Sequence, residues 1–491
     1  MLVNRLLEAY EHAGHVTAVD DTFRSLTYKQ VTALAGVMRD VIDRRTTGDR
    51  VGILLPASGA FAATFFGAQW AGRVPIPLNL LLNAEELQTI IADAGIESVL
   101  TIRHFEKTAG EISAKPLFLE DLSLRRRALF KLLGRPAKAP ATQADDVAVI
   151  LYTSGTTAKP KGVQLTYGNL VSNCLDAQQA LASALDGENR FLNVLPPFHV
   201  FGLTACVLLP VFLKATVYAL PRFHAVEVVK TIAAKGVTLM VAIPSMYAAI
   251  LKLKSVSRET FKTVRIAMSG GEPLPEAVAR GFEDRFGVKI RQGYGLTETS
   301  PVLSVCTLEA TKDGTVGRPI PNVEVRIAGS DGAALGAGAD GEILVRGPGV
   351  MKGYFRNPEE TSRVIDKEGW FHTGDMGRLD EDGYLTITGR LKEMLIVSGE
   401  NVYPREIEAV LEQHPAVLQA AVIGVPDESR GEVPAAFVLC AEGKAPTETE
   451  LRNFARQSLG GFKVPRQIRI SHELPVGPTG KILKRRLREL L

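Results

Sequence analysis

From about residue 50 the chain alternates short β-branched runs with longer stretches of helical period, and no other feature limits its fold so strongly. Val51-Gly52-Ile53-Leu54-Leu55 predicts a buried strand, and the small, apolar stretch through Trp70 predicts a helix packed on it. A helix follows over 85–94 and a strand over 98–102. Further strands are predicted at 147–152, 191–195, 238–243, 264–268 and 289–292, with helices between them, among them 225–234 and 276–286. Strands that alternate with helices build parallel sheets with helices on their faces. The expected class is α/β, with a large N-terminal domain of parallel-rich sheets. From about Val316 the pattern changes to period two, as in Val323-Glu324-Val325-Arg326-Ile327, with Asp331-Gly332 and Asp382-Gly383 placed like hairpin turns. That block, about 316–389, predicts a small antiparallel β-barrel or sandwich. The last hundred residues predict a compact α+β unit, with helices over 404–413 and 448–459, strands at 420–425 and 436–439, and a basic, helical tail over 481–488.

At 491 residues the chain is long enough for two or three domains and a large core. Lys and Arg number 57 against 54 Asp and Glu, so overall charge gives no argument for nucleic acid, and a basic partner site must be local. Cys174, Cys206, Cys306 and Cys440 are far apart and show no metal-ligand spacing, which predicts reduced thiols in a cytoplasmic protein. The N-terminus has no apolar signal core, and no apolar run reaches membrane-spanning length.

Five loops concentrate the chemistry. Thr153-Ser154-Gly155-Thr156-Thr157-Ala158-Lys159-Pro160-Lys161-Gly162 follows a predicted strand and packs hydroxyls, glycines and two lysines together. Backbone N–H groups, hydroxyls and a lysine charge are what phosphate oxygens need. The spacing is not that of a Walker loop. Ser269-Gly270-Gly271-Glu272-Pro273 and Gln292-Gly293-Tyr294-Gly295-Leu296-Thr297-Glu298 each follow a strand, where α/β sheets bind ligands. Taken alone, either could be a plain turn. Tyr294 offers a flat face for a base, and Glu298 a carboxylate for Mg²⁺ on a phosphate. In His372-Thr373-Gly374-Asp375 the carboxylate could hold ribose hydroxyls, and Gly480-Lys481 puts a lysine on a glycine turn, by itself no more than a surface lysine.

In this order, these loops resemble those of the adenylate-forming superfamily, and most of all its fatty-acyl and aryl-CoA ligase branch. The resemblance runs from about residue 10 to the end. It implies ATP-dependent activation of a carboxylic acid as an acyl-adenylate, then transfer to the thiol of CoA, with ATP, Mg²⁺ and CoA as cofactors. An acyl–acyl-carrier-protein synthetase is the alternative, and a non-catalytic nucleotide-binding protein a more distant one. The N-terminal domain would be 1–389, the hinge 390–393 and a mobile C-terminal domain 394–491. The phosphate loop matches Thr153, Ser154, Gly155, Thr156, Thr157 and Lys161. The nucleotide wall matches Gly270, Gly271, Glu272, Pro273, Gln292, Gly293, Tyr294, Gly295 and Thr297. Asp375 and Arg390 match ribose contacts, Glu298 and Thr156 the metal ligands, Lys392 the hinge, Lys481 the adenylation lysine and Gly399 the thiol tunnel. His199, in Pro196-Pro197-Phe198-His199, matches a gate to the acyl pocket. Thr297, Glu298, His199 and Lys481 would thus carry the catalysis. Ala158 departs from the glycine often found there, and the short N-terminus predicts trimmed capping helices.

The expected acyl pocket, among residues 198–204, 241–246, Met268 and Gly293, is mainly apolar or small, which favours an aliphatic or aryl acid over an amino acid. Residues 122–138 interleave Arg125, Arg126, Arg127, Lys131, Arg135 and Lys138 with leucines and Phe130. On a helix this gives a basic amphipathic face, which could meet anionic lipid, dock an acidic carrier protein, or simply lie in solvent.

Overall fold

The structure is a computed structural model and describes all residues except 154–159, 399, 428, 442, 472, 476–481 and 491. Its largest sheet has nine strands. Across it lie Arg318–Pro319, Val302–Val305, Ile290–Gly295, Ile266–Ser269, Leu239–Ala242, Arg190–Asn193, Thr216–Ala219, Thr17–Asp21 and Ser25–Thr27. The six strands from Ile290–Gly295 to Thr17–Asp21 are parallel, and the outer pairings are antiparallel. Leu239–Ala242 and Ile266–Ser269 are buried at every position, because helices cover both faces of the sheet. Alternate residues therefore feed two cores. Phe191, Leu239, Val241, Ile266 and Met268 face one. Leu192, Met240, Ala242, Ala267 and Ile290 face the other, where Tyr247, Phe261, Phe282 and Phe286 pack edge to face.

A second, all-parallel sheet runs Val74–Pro77, Arg50–Leu54, Ser98–Thr101, Lys115–Phe118. Val147–Thr153 and Lys161–Thr166 form an antiparallel pair extended by Gly353–Tyr354. The block expected over 316–389 takes the form of an antiparallel sheet of Glu324–Ala328, Gly341–Arg346, Phe371–Leu379 and Leu385–Arg390. Gly383, at φ +79°, turns the chain between the last two. The smaller C-terminal domain wraps helices Pro404–Glu412 and Glu448–Arg456 against a sheet built around the hairpin Val417–Asp427 and Gly431–Cys440.

Two regions differ from expectation. The N-terminus carries helices Leu2–Ala13 and Tyr28–Arg45, each with an apolar face in the main core, so the cap there is fuller than its length suggested. The tail forms only Lys484–Leu487, with a short turn after it. The basic segment is helical over Leu124–Leu132 and packs on Tyr28–Arg45, where Lys131 meets Asp40 at 2.7 Å. No helix of the described residues is long and apolar enough to cross a membrane. All four cysteines are free thiols.

Candidate active site

The carboxyl ends of the parallel strands open into a cavity of about 3730 Å³ that extends to the C-terminal domain. Thr153, Lys161, His199, Gly270, Gly271, Glu272, Pro273, Gln292, Gly293, Tyr294, Gly295, Thr297, Glu298, Asp375, Arg390 and Lys392 all line it. Ser154, Gly155, Thr156, Thr157, Gly399 and Lys481 lie outside the described residues.

Glycine has a steric reason at the centre of the cavity. A Cβ on Gly295 would stand 1.7 Å from the Pro301 carbonyl oxygen, so no side chain fits there. A Cβ on Gly270 would meet the Phe201 ring at 3.2 Å and the Gly293 carbonyl oxygen at 3.3 Å. Adjacent parallel strands thus end in bare backbone that a flat or extended ligand can approach closely.

Beside them, strand pairing sets Asp375 opposite Arg390. The Asp375 carboxylate, in a residue only 4% exposed, accepts the Tyr294 hydroxyl at 2.7 Å and forms an ion pair with Arg390, whose Nε lies 3.1 Å away. Its backbone N–H donates to Thr373 Oγ1 at 3.0 Å. Removal from water, and then the Asp375 charge, push the Tyr294 phenol well above its ordinary range, so it remains a neutral donor. Tyr294 therefore joins the end of the large sheet to the antiparallel block through the carboxylate expected to meet ribose.

Glu298 sits in the turn Thr297–Thr299 and accepts the Tyr354 hydroxyl at 2.9 Å. Burial, and then Glu298, push the Tyr354 phenol upward. The Tyr354 ring also lies 5.2 Å under the Lys161 ammonium. Lys161 was expected to face phosphate, but the structure pairs its ammonium with Glu360. Tyr354 and Glu360 are the residues that sequence reasoning missed. The available signal was Gly353-Tyr354 just before Asn357, whose side chain caps the helix Pro358–Val364 that carries Glu360.

His199 precedes the helical turn Val200–Leu203, which continues through a wide, π-helical turn at Thr204–Leu208. Thr204 Oγ1 ties that turn to the Ser300 carbonyl at 3.0 Å. The His199 ring packs 4.8 Å from the Phe198 ring, and both line the cavity, whose recess nearest the sheet is apolar. Leu239, Val241, Ile266 and Met268 line the recess from the sheet. Arg291, one strand further on, turns its guanidinium onto the backbone carbonyls of Thr307 and Lys289.

Comparison with known proteins agrees with this geometry. Residues 7–355 match the AMP-binding enzyme family and residues 406–481 the AMP-binding enzyme C-terminal domain. A feruloyl-CoA synthase of Amycolatopsis sp is 37% identical over 481 residues, covering 96% of each chain. A long-chain-fatty-acid–CoA ligase of Bacillus subtilis (strain 168) is 34% identical over 482 residues, covering 90% of this chain and 85% of the relative. The crystal structure of ATP-bound MatB from Rhodopseudomonas palustris superposes with a TM-score of 0.90 at 30% identity, covering 100% of this chain and 99% of that one. The chain belongs to the AMP-binding enzyme family and is an acid–CoA ligase that activates a carboxylic acid with ATP, through an acyl-adenylate, for transfer to CoA.

Proposed function

We propose that the acid activated here has an elongated apolar body, an alkyl chain or an extended aryl group. The observation that carries this is the cavity face of two neighbouring strands. Leu239 and Val241 lie beside Ile266 and Met268, an apolar floor two residues deep behind Gly270, with the Arg291 guanidinium beside it turned onto backbone carbonyls. At about 3.3 Å per residue the two layers span about 7 Å along the strands. A polar tail would lose its water there and find aliphatic side chains in exchange.

In this reading the acid lies with its carboxylate near Gly270 and Gly293, and His199 closes the pocket mouth. Tyr294 and the glycine loop flank the adenine, and Asp375 with Arg390 receives the ribose. Lys481 bridges two anions, the attacking carboxylate and the α-phosphate. Glu298, with Thr156, would hold Mg²⁺. The fit is good: a single carboxylate plus substrate phosphates suits this ion, and among the described residues no cluster of acidic, Cys or His side chains could cage one. Bound there, Mg²⁺ would neutralise charge on the leaving pyrophosphate. The pivot lies at Lys392, between 1–389 and 394–491, and Gly399 lines the path of the thiol.

The test is a panel of acids, graded in chain length and including cinnamate-like aryl acids, assayed for thioester with CoA and with holo-acyl-carrier protein. Catalytic efficiency should rise with apolar length and be higher with CoA. Preference for a short polar acid would overturn the pocket reading, and preference for the carrier would reassign the acceptor.

A second observation favours peripheral contact with membranes. Helix Leu124–Leu132 buries Ala128 but leaves Leu129 60% and Phe130 66% exposed, with Leu133 just past its end 81% exposed, beside exposed Arg125 and Arg126. Apolar side chains rimmed by cations match an anionic lipid surface, from which an apolar acid would be drawn.

A further inference from the structure

Lys484 lies in the fold where three structures meet. Its ammonium is 2.5 Å from Glu393 Oε2 and 2.8 Å from Glu408 Oε1. Glu408 is buried, and the same Oε1 accepts the Val422 backbone N–H at 2.8 Å. That carboxylate is thus fixed to the body of the C-terminal domain, between helix Pro404–Glu412 and strand Val417–Asp427. Glu393, by contrast, ends the turn Leu391–Glu393, which directly follows Arg390 and contains Lys392. One residue before Lys484, the Leu483 N–H donates to the Pro475 carbonyl at 2.7 Å. This bond closes the base of the segment in which Lys481 stands.

We propose that Lys484 is a positioning residue for adenylation, bolting the base of the Lys481 segment to the domain body through Glu408 and to the junction turn through Glu393. The inference rests on the assignment of Lys481 to adenylation. Lys481 must bring its charge to a carboxylate and a phosphate held by the other domain, and a small misplacement of a charged group costs rate steeply. The Glu393 arm fixes the segment to the residue that directly follows the Lys392 pivot, so the base of the lysine segment is set relative to the hinge itself. Burial works against the charge on Lys484, but Glu408 and Glu393 together more than offset it, so the ammonium stays protonated.

The two arms can be separated. Glu393 is half-exposed, so Glu393→Gln removes a charge from the junction without leaving one buried and unpaired. Lys484→Met strands Glu408 and should lower Tm, whereas Lys484→Arg keeps both contacts. The assays are acid-dependent pyrophosphate–ATP exchange and thioester formation from supplied acyl-adenylate, with Lys481→Ala run in parallel. For Glu393→Gln, the exchange kcat should fall about tenfold while the KM values for ATP and acid and the second half-reaction stay within about twofold, as for a lost contact that acts only in the transition state. Tm should not move, and Lys484→Arg should retain exchange. Unchanged exchange in Glu393→Gln beside a dead Lys481→Ala would overturn the role of Lys484 alone. So would equal losses in both half-reactions. Full exchange in Lys481→Ala would overturn the Lys481 assignment, and this inference with it.

Discussion

Replacing Tyr294 by Phe isolates one bond at the centre of the nucleotide site. The ring stays, so the flat wall expected against adenine is kept, and only the hydroxyl that donates to Asp375 at 2.7 Å is lost. A hydrogen bond to a charged acceptor contributes about 1.5–3 kcal/mol. Arg390 still holds the other carboxylate oxygen at 3.1 Å, so the charge is not stranded. The lower end of the range therefore applies, about 1.5 kcal/mol, which corresponds to roughly tenfold. That loss should fall on ATP, because Asp375 must be aimed before ribose can meet it. Steady-state pyrophosphate exchange at saturating acid should show KM for ATP raised about tenfold with kcat within about threefold. Asp375→Asn should be worse, since it weakens both contacts. An unchanged KM for ATP together with a lower Tm would refute the reasoning and make the pair a strut between the large sheet and the antiparallel block.

Lys481→Ala should abolish pyrophosphate exchange yet spare thioester formation from supplied acyl-adenylate, and Gly399→Leu should do the reverse, letting adenylate accumulate; quenched-flow product analysis distinguishes them. Replacing Arg125, Arg126 and Arg127 with Ser removes about 3 kcal/mol of attraction to anionic lipid, at about 1 kcal/mol per cation. Vesicle co-sedimentation at low salt should weaken by roughly two decades, while turnover of a short-chain acid is unchanged; wild type that ignores anionic vesicles refutes the contact. Lys161 holds the Glu360 carboxyl below its ordinary 4.5, so the folded state binds that proton less tightly than the unfolded chain does. The stabilisation is then present above the unfolded value and lost as pH falls through the folded one. The Tm gap between wild type and Glu360→Gln should be constant near neutrality and close below about pH 4.5, and a gap that widens in acid would show the sign to be wrong.

What was legible in the sequence, and what was not, divides along a physical line. Strands such as Leu239–Ala242 and Ile266–Ser269 announce themselves because a parallel strand buried on both faces needs an unbroken apolar run, and helix Glu276–Phe286 because its apolar positions recur at helical spacing. The loops at the strand ends were legible for a related reason. Their chemistry is carried by backbone, and backbone that must approach a ligand or a neighbouring chain requires glycine, as at Gly270 and Gly295. The long-range polar ties were not legible. Tyr354 reaches Glu298 across 56 residues, Lys484 reaches Glu393 across 91, and Lys161 reaches Glu360 across 199. No local pattern records such a pairing, because each member looks like an ordinary polar residue of its own helix, turn or strand. Lys161 shows the consequence. Its place in a loop rich in hydroxyls and glycine pointed to phosphate, yet in the fold its ammonium lies against a carboxylate on helix Pro358–Val364. To meet a phosphate it must exchange Glu360 for the ligand, so one ammonium is contested between the loop that carries it and a carboxylate 199 residues away, a competition that the loop's own composition does not record.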